Sequence, residues 1–179
     1  MTYEQAKTKA TEYADAVAYK RMTEKYYRGY TVTPTTNFND CIPVKTGWDV
    51  TVMDSEGEKT ISELKSRSKK YSYFSHIQDL RLTGYKLDNL RQEAYKQGCK
   101  AEIVGIYPYD NIMLVWPADG KYEETVQYTK KFEYGDTEKI EQKAYILPFA
   151  MAEKYVVDMS DFDQNFQRAF NKYEKCIMQ

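Results

Sequence analysis

Gly47-Trp-Asp-Val-Thr-Val-Met-Asp-Ser-Glu-Gly-Glu-Lys-Thr-Ile-Ser-Glu-Leu-Lys-Ser66 is the stretch that decides how this chain is read. Two short alternating segments, 48–53 and 59–65, flank Asp54-Ser-Glu-Gly-Glu58, which is a hairpin turn signal. A three-residue loop, Ser55-Glu56-Gly57, with glycine in the left-handed position pairs Asp54 with Glu58. Paired positions then sum to 112, which sets Asp49 opposite Glu63. Lys65, two residues on, shares the face of Glu63, and Trp48, Val50, Val52 and Leu64 are expected to form an apolar surface on the other face. A one-residue slip would reverse the faces.

Directly opposed residues have Cβ atoms only ~4.5–5.5 Å apart. At ~5 Å and an effective dielectric of ~20, two carboxylates repel by roughly 3 kcal/mol. A central hairpin keeps such a pair only with a compensating charge. Lys65 supplies one; a divalent cation between Asp49 and Glu63 would supply more. Mg2+ is held by one or two carboxylates together with water and phosphate oxygens, which is what this geometry offers. The plain alternative is a solvated ion pair on an exposed strand face.

Gly47-Trp-Asp-Val-Thr-Val52, the hairpin, and Ile61-Ser-Glu-Leu-Lys-Ser66 resemble the PD-(D/E)XK nuclease superfamily, the restriction-endonuclease-like fold. Asp49 matches the first acid of that motif, Glu63 the second and Lys65 the lysine; Trp48 stands where the family carries proline. The resemblance implies a Mg2+- (or Mn2+-) dependent nuclease in which both acids bind the metal and the lysine assists hydrolysis. It also implies the Leu64 carbonyl as a further metal ligand, and an acid from the first helix, for which Glu12, Asp15 and Glu24 are all candidates. Lys86 falls where related nucleases place a polar residue near the site.

Outward from the hairpin, residues 3–28 read as a helix with Ala6, Ala10, Tyr13, Ala14 and Val17 on one stripe, ended by Gly29. Residues 31–46 read as a loop followed by a strand, 75–97 as a second helix stopped by Gly98, and 101–107 and 112–116 as strands. Residues 121–148 alternate about Gly135-Asp136 as a second hairpin, and Ser160 is placed to cap a last helix carrying Phe162, Phe166, Phe170 and Tyr173 as a core stripe. The expected fold is therefore α/β: a mixed central sheet flanked by helices. The αβββαβ core that the resemblance implies covers 1–116, and the added hairpin and C-terminal helix (117–179) pack on it within a single domain, 1–179.

Composition narrows the chemistry. The chain has 179 residues, 42% hydrophobic and 30% charged, enough apolar surface for one sizeable core. A single histidine, His76, excludes zinc sites built from several imidazoles, and no GxSxG elbow accompanies it. The three cysteines, Cys41, Cys99 and Cys176, are far apart without a CxxC and read as reduced thiols, which together with the absence of an apolar leader or membrane-spanning run gives a cytoplasmic expectation. Any metal would be held by carboxylates, hence a hard cation.

A net charge of −1 excludes a uniformly basic nucleic-acid coat, but the charge is polarised. Residues 64–100 hold nine Lys and Arg against three acids, beginning at the motif strand. Arg67, Lys69, Lys70, Arg81 and Lys86 are the candidate phosphate contacts. The reading is a Mg2+-dependent DNA nuclease, of the kind used in phage, mobile-element or repair DNA processing, with a homodimer as the arrangement that paired cuts in duplex DNA require. The alternative is a catalytically silent nuclease-fold protein acting as a structural or binding subunit of a phage particle or protein complex.

Overall fold

The computed structural model describes residues 1–44, 47–67, 79–130 and 139–177. Helix α1 (Tyr3–Tyr26) opens on a capping box: Thr2 Oγ1 accepts from the Gln5 amide at 3.2 Å and Gln5 Oε1 accepts from the Thr2 amide at 2.8 Å. It is followed by β1 (Thr31–Pro34), β2 (Val50–Met53), β3 (Lys59–Ser66), β4 (Asp79–Thr83), α2 (Gly84–Gln97), β5 (Lys100–Tyr107), β6 (Ile112–Pro117), β7 (Glu123–Lys130), β8 (Lys139–Pro148), β9 (Glu153–Val156) and α3 (Phe162–Glu174). The central sheet has the order β1-β2-β3-β5-β6-β9. All its pairings are antiparallel except β3–β5, which is parallel and connected through α2 as a crossover requires. The molecule is thus a mixed central sheet flanked by helices.

The motif hairpin folds in the expected register: Val50 faces Ser62, Val52 faces Thr60 and Met53 faces Lys59. Gly57 takes φ +86°, and Asp54 Oδ1 accepts the amides of Glu56 and Glu58, both at 2.8 Å. Only a residue without a Cβ adopts that left-handed turn at no steric cost.

The two faces of the sheet carry separate cores. On one, Tyr19 and Met22 of α1 pack on Val50, Val52, Leu64 and Val104. On the other, Leu87 and Leu90 of α2 pack on Ile61, Ile103 and Trp116. At Gly105 the backbone lies close under the Trp116 ring, where a Cβ would stand 3.1 Å from it and the ring would have to shift. The alanine side of α1 meets α3 instead, through Ala6, Ala10, Ala169, Phe170 and Tyr173. Helix α1 is therefore covered on two sides, and even Lys9 is fully buried there. Its Nζ donates to Asp40 O (2.9 Å), Asp40 Oδ1 (2.7 Å) and Ile42 O (2.8 Å), using all three ammonium protons.

Several expectations are corrected. The second helix begins at Gly84, not 75; Asp79–Thr83 is a strand, because Leu80 and Leu82 alternate inward with period two. The first strand after α1 is Thr31–Pro34, earlier than expected. The 121–148 hairpin does not join the central sheet. It pairs with β4 in a second, antiparallel sheet, β4-β8-β7, whose Leu80, Leu82, Tyr145 and Leu147 cover α2, and its Gly135-Asp136 bend lies outside the described residues. Strand β9 was not anticipated. Asp161 rather than Ser160 is the N-cap of α3, and it makes no side-chain capping bond. Trp48 leaves the Val50–Val52 face: its Nε1 donates to Thr51 Oγ1 at 3.0 Å and its ring packs with the α2-side core. Cys41 and Cys176 are joined in a disulfide across 135 residues, brought together where α3 docks on α1, so only Cys99 is a free thiol. Among the described residues no helix is long and apolar enough to cross a membrane.

Candidate active site

Asp49 sits just before β2, on backbone that extends the hairpin ladder: its amide donates to Ser62 O at 3.0 Å and its carbonyl accepts from Thr35 N at 2.9 Å. Its side chain turns across to β3, where Oδ2 accepts the Leu64 amide at 2.7 Å. Burial, reinforced by the neighbouring Glu63 carboxylate, pushes Asp49 up to about 8. Glu63 lies on the central strand with its side chain 6% exposed, and Lys86 from α2 forms an ion pair with its Oε1. Burial alone would pull Lys86 down, but the charge and hydrogen bond of Glu63 outweigh it and hold the ammonium above its ordinary range. Lys65 is half-buried and is lowered by burial first and by the charge of Lys86 second.

Helix α1 brings two more acids. Thr36 Oγ1 donates to Glu12 Oε2 at 3.0 Å, and burial raises Glu12, which feels the charges of Lys86, Glu63 and Lys65. Asp15 is buried; desolvation carries it up to about 7, against hydrogen bonding from Ser66 and the charge of Lys65. Its Oδ1 is buried with no hydrogen-bond partner among the described residues. Glu24, the third candidate, is exposed and faces Lys20 at 3.9 Å. It stands nine residues, ~13.5 Å of helix rise, beyond Asp15.

The structure thus brings together Asp49, Glu63, Leu64, Lys65 and Lys86, and adds both Glu12 and Asp15. The i,i+3 spacing of Glu12 and Asp15 was a signal that they share a face. Both lie off the alanine stripe, and the sheet covers this second side of α1. Of the candidate phosphate contacts, Arg67 is half-buried, lowered by burial, and donates from Nη2 to Arg81 O at 3.1 Å. Arg81 projects from β4 with its side chain 51% exposed, its Nε 3.8 Å from Asp79. Lys69, Lys70 and His76 lie outside the described residues.

Among the described residues no three acidic, histidine or cysteine side chains form a ready-made cation cage. The donor set nonetheless suits a hard cation that keeps most of its water. Burial raises both Asp49 and Asp15, with the Glu63 carboxylate adding to the rise at Asp49 and Glu12 to that at Asp15, and a cation would offset that cost; the Asp15 Oδ1 is buried without a hydrogen-bond partner among the described residues.

No protein-family model matches the sequence, and no curated protein matches it. In three dimensions the chain is similar to Hjc of Archaeoglobus fulgidus, a Holliday junction resolvase from an archaeal hyperthermophile. The similarity covers 78% of this chain and 89% of that one, at 11% identity and a TM-score of 0.45.

Proposed function

We propose that the chain is a Mg2+-dependent DNA nuclease that hydrolyses phosphodiester bonds at the Asp49–Glu63–Lys65 site. The observation that carries this reading is the meeting of two desolvated carboxylates and a desolvated lysine at one end of the central strand, where Asp49 Oδ2 is clamped on the Leu64 amide. Asp49, Glu63 and the Leu64 carbonyl would hold Mg2+, which when bound supplies Lewis-acid polarisation of the phosphate and activation of a water nucleophile. The chain's own groups do the rest. The Leu64 amide fixes the Asp49 carboxylate in place, Lys65 orients the attacking water or offsets charge growing on the phosphoryl oxygens, and Glu12 and Asp15 add two carboxyl groups from α1, raised by burial, that a bound cation would help ionise.

The test is plasmid cleavage by the full chain with Mg2+ or Mn2+. Asp49→Ala and Lys65→Ala are each expected to lower the cleavage rate at least ~100-fold, as loss of a group acting on the transition state does. Undiminished cutting by either variant would sink the assignment. One observation favours a second reading, a silent nuclease-fold binding subunit: the Lys86 ammonium takes the charge-balancing place beside Glu63. Plasmid bound but left intact by the unmodified chain is the outcome that selects it.

A further inference from the structure

A cavity of about 890 Å³ opens between the C-terminal part of α1, the starts of β3 and β5, and the end of β6. That volume lies within the range of small-molecule sites. One wall is aromatic: Tyr27 and Tyr30 are stacked with centroids 5.2 Å apart, and Tyr155 meets Tyr27 edge-on at 6.0 Å. The wall is wired to a carboxylate, since Tyr155 contacts the Tyr27 hydroxyl and donates to Glu153 Oε2 at 2.5 Å.

The second feature is Glu102 on β5, which lines the cavity beside Tyr19. Ser62 Oγ donates to its Oε1 at 2.9 Å, and the Tyr19 hydroxyl donates to the same oxygen. Both hydrogen bonds fall on Oε1, leaving Oε2 for a ligand. Ser62 is the register partner of Glu102, so this cluster lies on the α1 face of the sheet, whereas Glu63, the next residue, points to the other.

The charge balance favours a cation. Glu102, Glu153 and Asp119 line the cavity against Arg91 and Lys100. Arg91 is already committed, donating to Ala118 O at 2.6 Å and Gly120 O at 2.8 Å, and Lys100 is exposed. Tyrosine faces attract ammonium groups through their quadrupoles, and a carboxylate in a desolvated wall attracts them through its charge.

We propose that this cavity is a second binding site, for a small protonated amine of the alkylammonium or polyamine class, with the Glu102 carboxylate as its counter-ion and the Tyr27–Tyr30–Tyr155 wall as its cation–π surface. Burial raises the Glu102 carboxyl above its ordinary range, and a bound ammonium would reverse that. The site is independent of the nuclease reading.

The experiment is isothermal titration of the full chain with putrescine, with uncharged 1,4-butanediol as isostere, in EDTA. Putrescine is expected to bind with a dissociation constant below about 1 mM, and butanediol not to bind. Glu102→Gln is expected to weaken putrescine at least tenfold, while Asp49→Asn, whose side chain meets the Leu64 amide and does not line the cavity, leaves it within twofold. Should Glu102→Gln fail to fold, Tyr155→Leu decides, with at least a threefold loss expected. No binding by the unmodified chain, equal binding of the diol, retention in Glu102→Gln or Tyr155→Leu, or loss in Asp49→Asn would each overturn the proposal; so would binding of guanosine in putrescine's place.

Discussion

Asp49 and Glu63 show how much of this site is electrostatic. Asp49 is raised from its ordinary 3.8 to about 8 and Asp15 to about 7, so between about pH 4 and pH 7–8 the folded chain holds protons that the unfolded chain has released. Stability must therefore fall as pH rises through that window, at up to about 1.4 kcal/mol per pH unit for each proton. In EDTA, urea unfolding at pH 5 and pH 8 should show the decline, Asp49→Asn should flatten it, and Mg2+ should flatten it without mutation; an unchanged slope in both cases contradicts the site. Lys86 gives a companion prediction. Its removal as Lys86→Met leaves the Glu63 carboxylate buried and unpaired, which should cost about 3 kcal/mol in EDTA at pH 8. Added Mg2+ should then stabilise the variant more than the parent, because Glu63 is free to meet it. An equal Mg2+ response in the two proteins would show that Lys86 does not occupy the cation's place.

At the scale of elements, the part of the chain governed by local rules was readable. The β2–β3 hairpin followed from alternation plus the left-handed Gly57, and its register is the one that sets Asp49 beside Glu63. What was unreadable depended on who packs against whom. Leu80 and Leu82 fit either a helix or a strand, and only their pairing with β8 decides for β4. Periodicity could not choose among Glu12, Asp15 and Glu24, because it shows one stripe, while α1 is sandwiched between the sheet and α3. The docking of α3 on α1 also creates what spacing could not reveal, the Cys41–Cys176 link. Closing so long a loop restricts the unfolded chain, so reduction with dithiothreitol should lower the unfolding free energy by about 2–4 kcal/mol. Cys41→Ser should match it, and a chain indifferent to reductant would argue that the bond carries no stability.

For the whole molecule, the cationic run 64–100 divides its charges between structure and surface. Lys86 serves Glu63, Arg91 serves two carbonyls of the turn after β6, Arg67 is drawn inward to Arg81 O, and Lys96 faces Glu93 at 3.2 Å. Arg81 stands apart: exposed on β4, one strand of the second sheet, and tied to β3 through the Arg67 side chain that reaches its carbonyl. Arg81 stands exposed at this join between the two sheets, and Arg67, which reaches its carbonyl, is two residues from Lys65, so on the nuclease reading Arg81 is offered as a phosphate contact. Each neutralised phosphate releases condensed counter-ions, so it adds about 0.9 to the slope of log affinity against log salt. Arg81→Ala should accordingly bind duplex DNA more weakly regardless of sequence and reduce that slope by about one, with Mg2+-dependent stabilisation of the free protein intact. A slope identical to the parent's would move the DNA track off this join, to another face of the molecule.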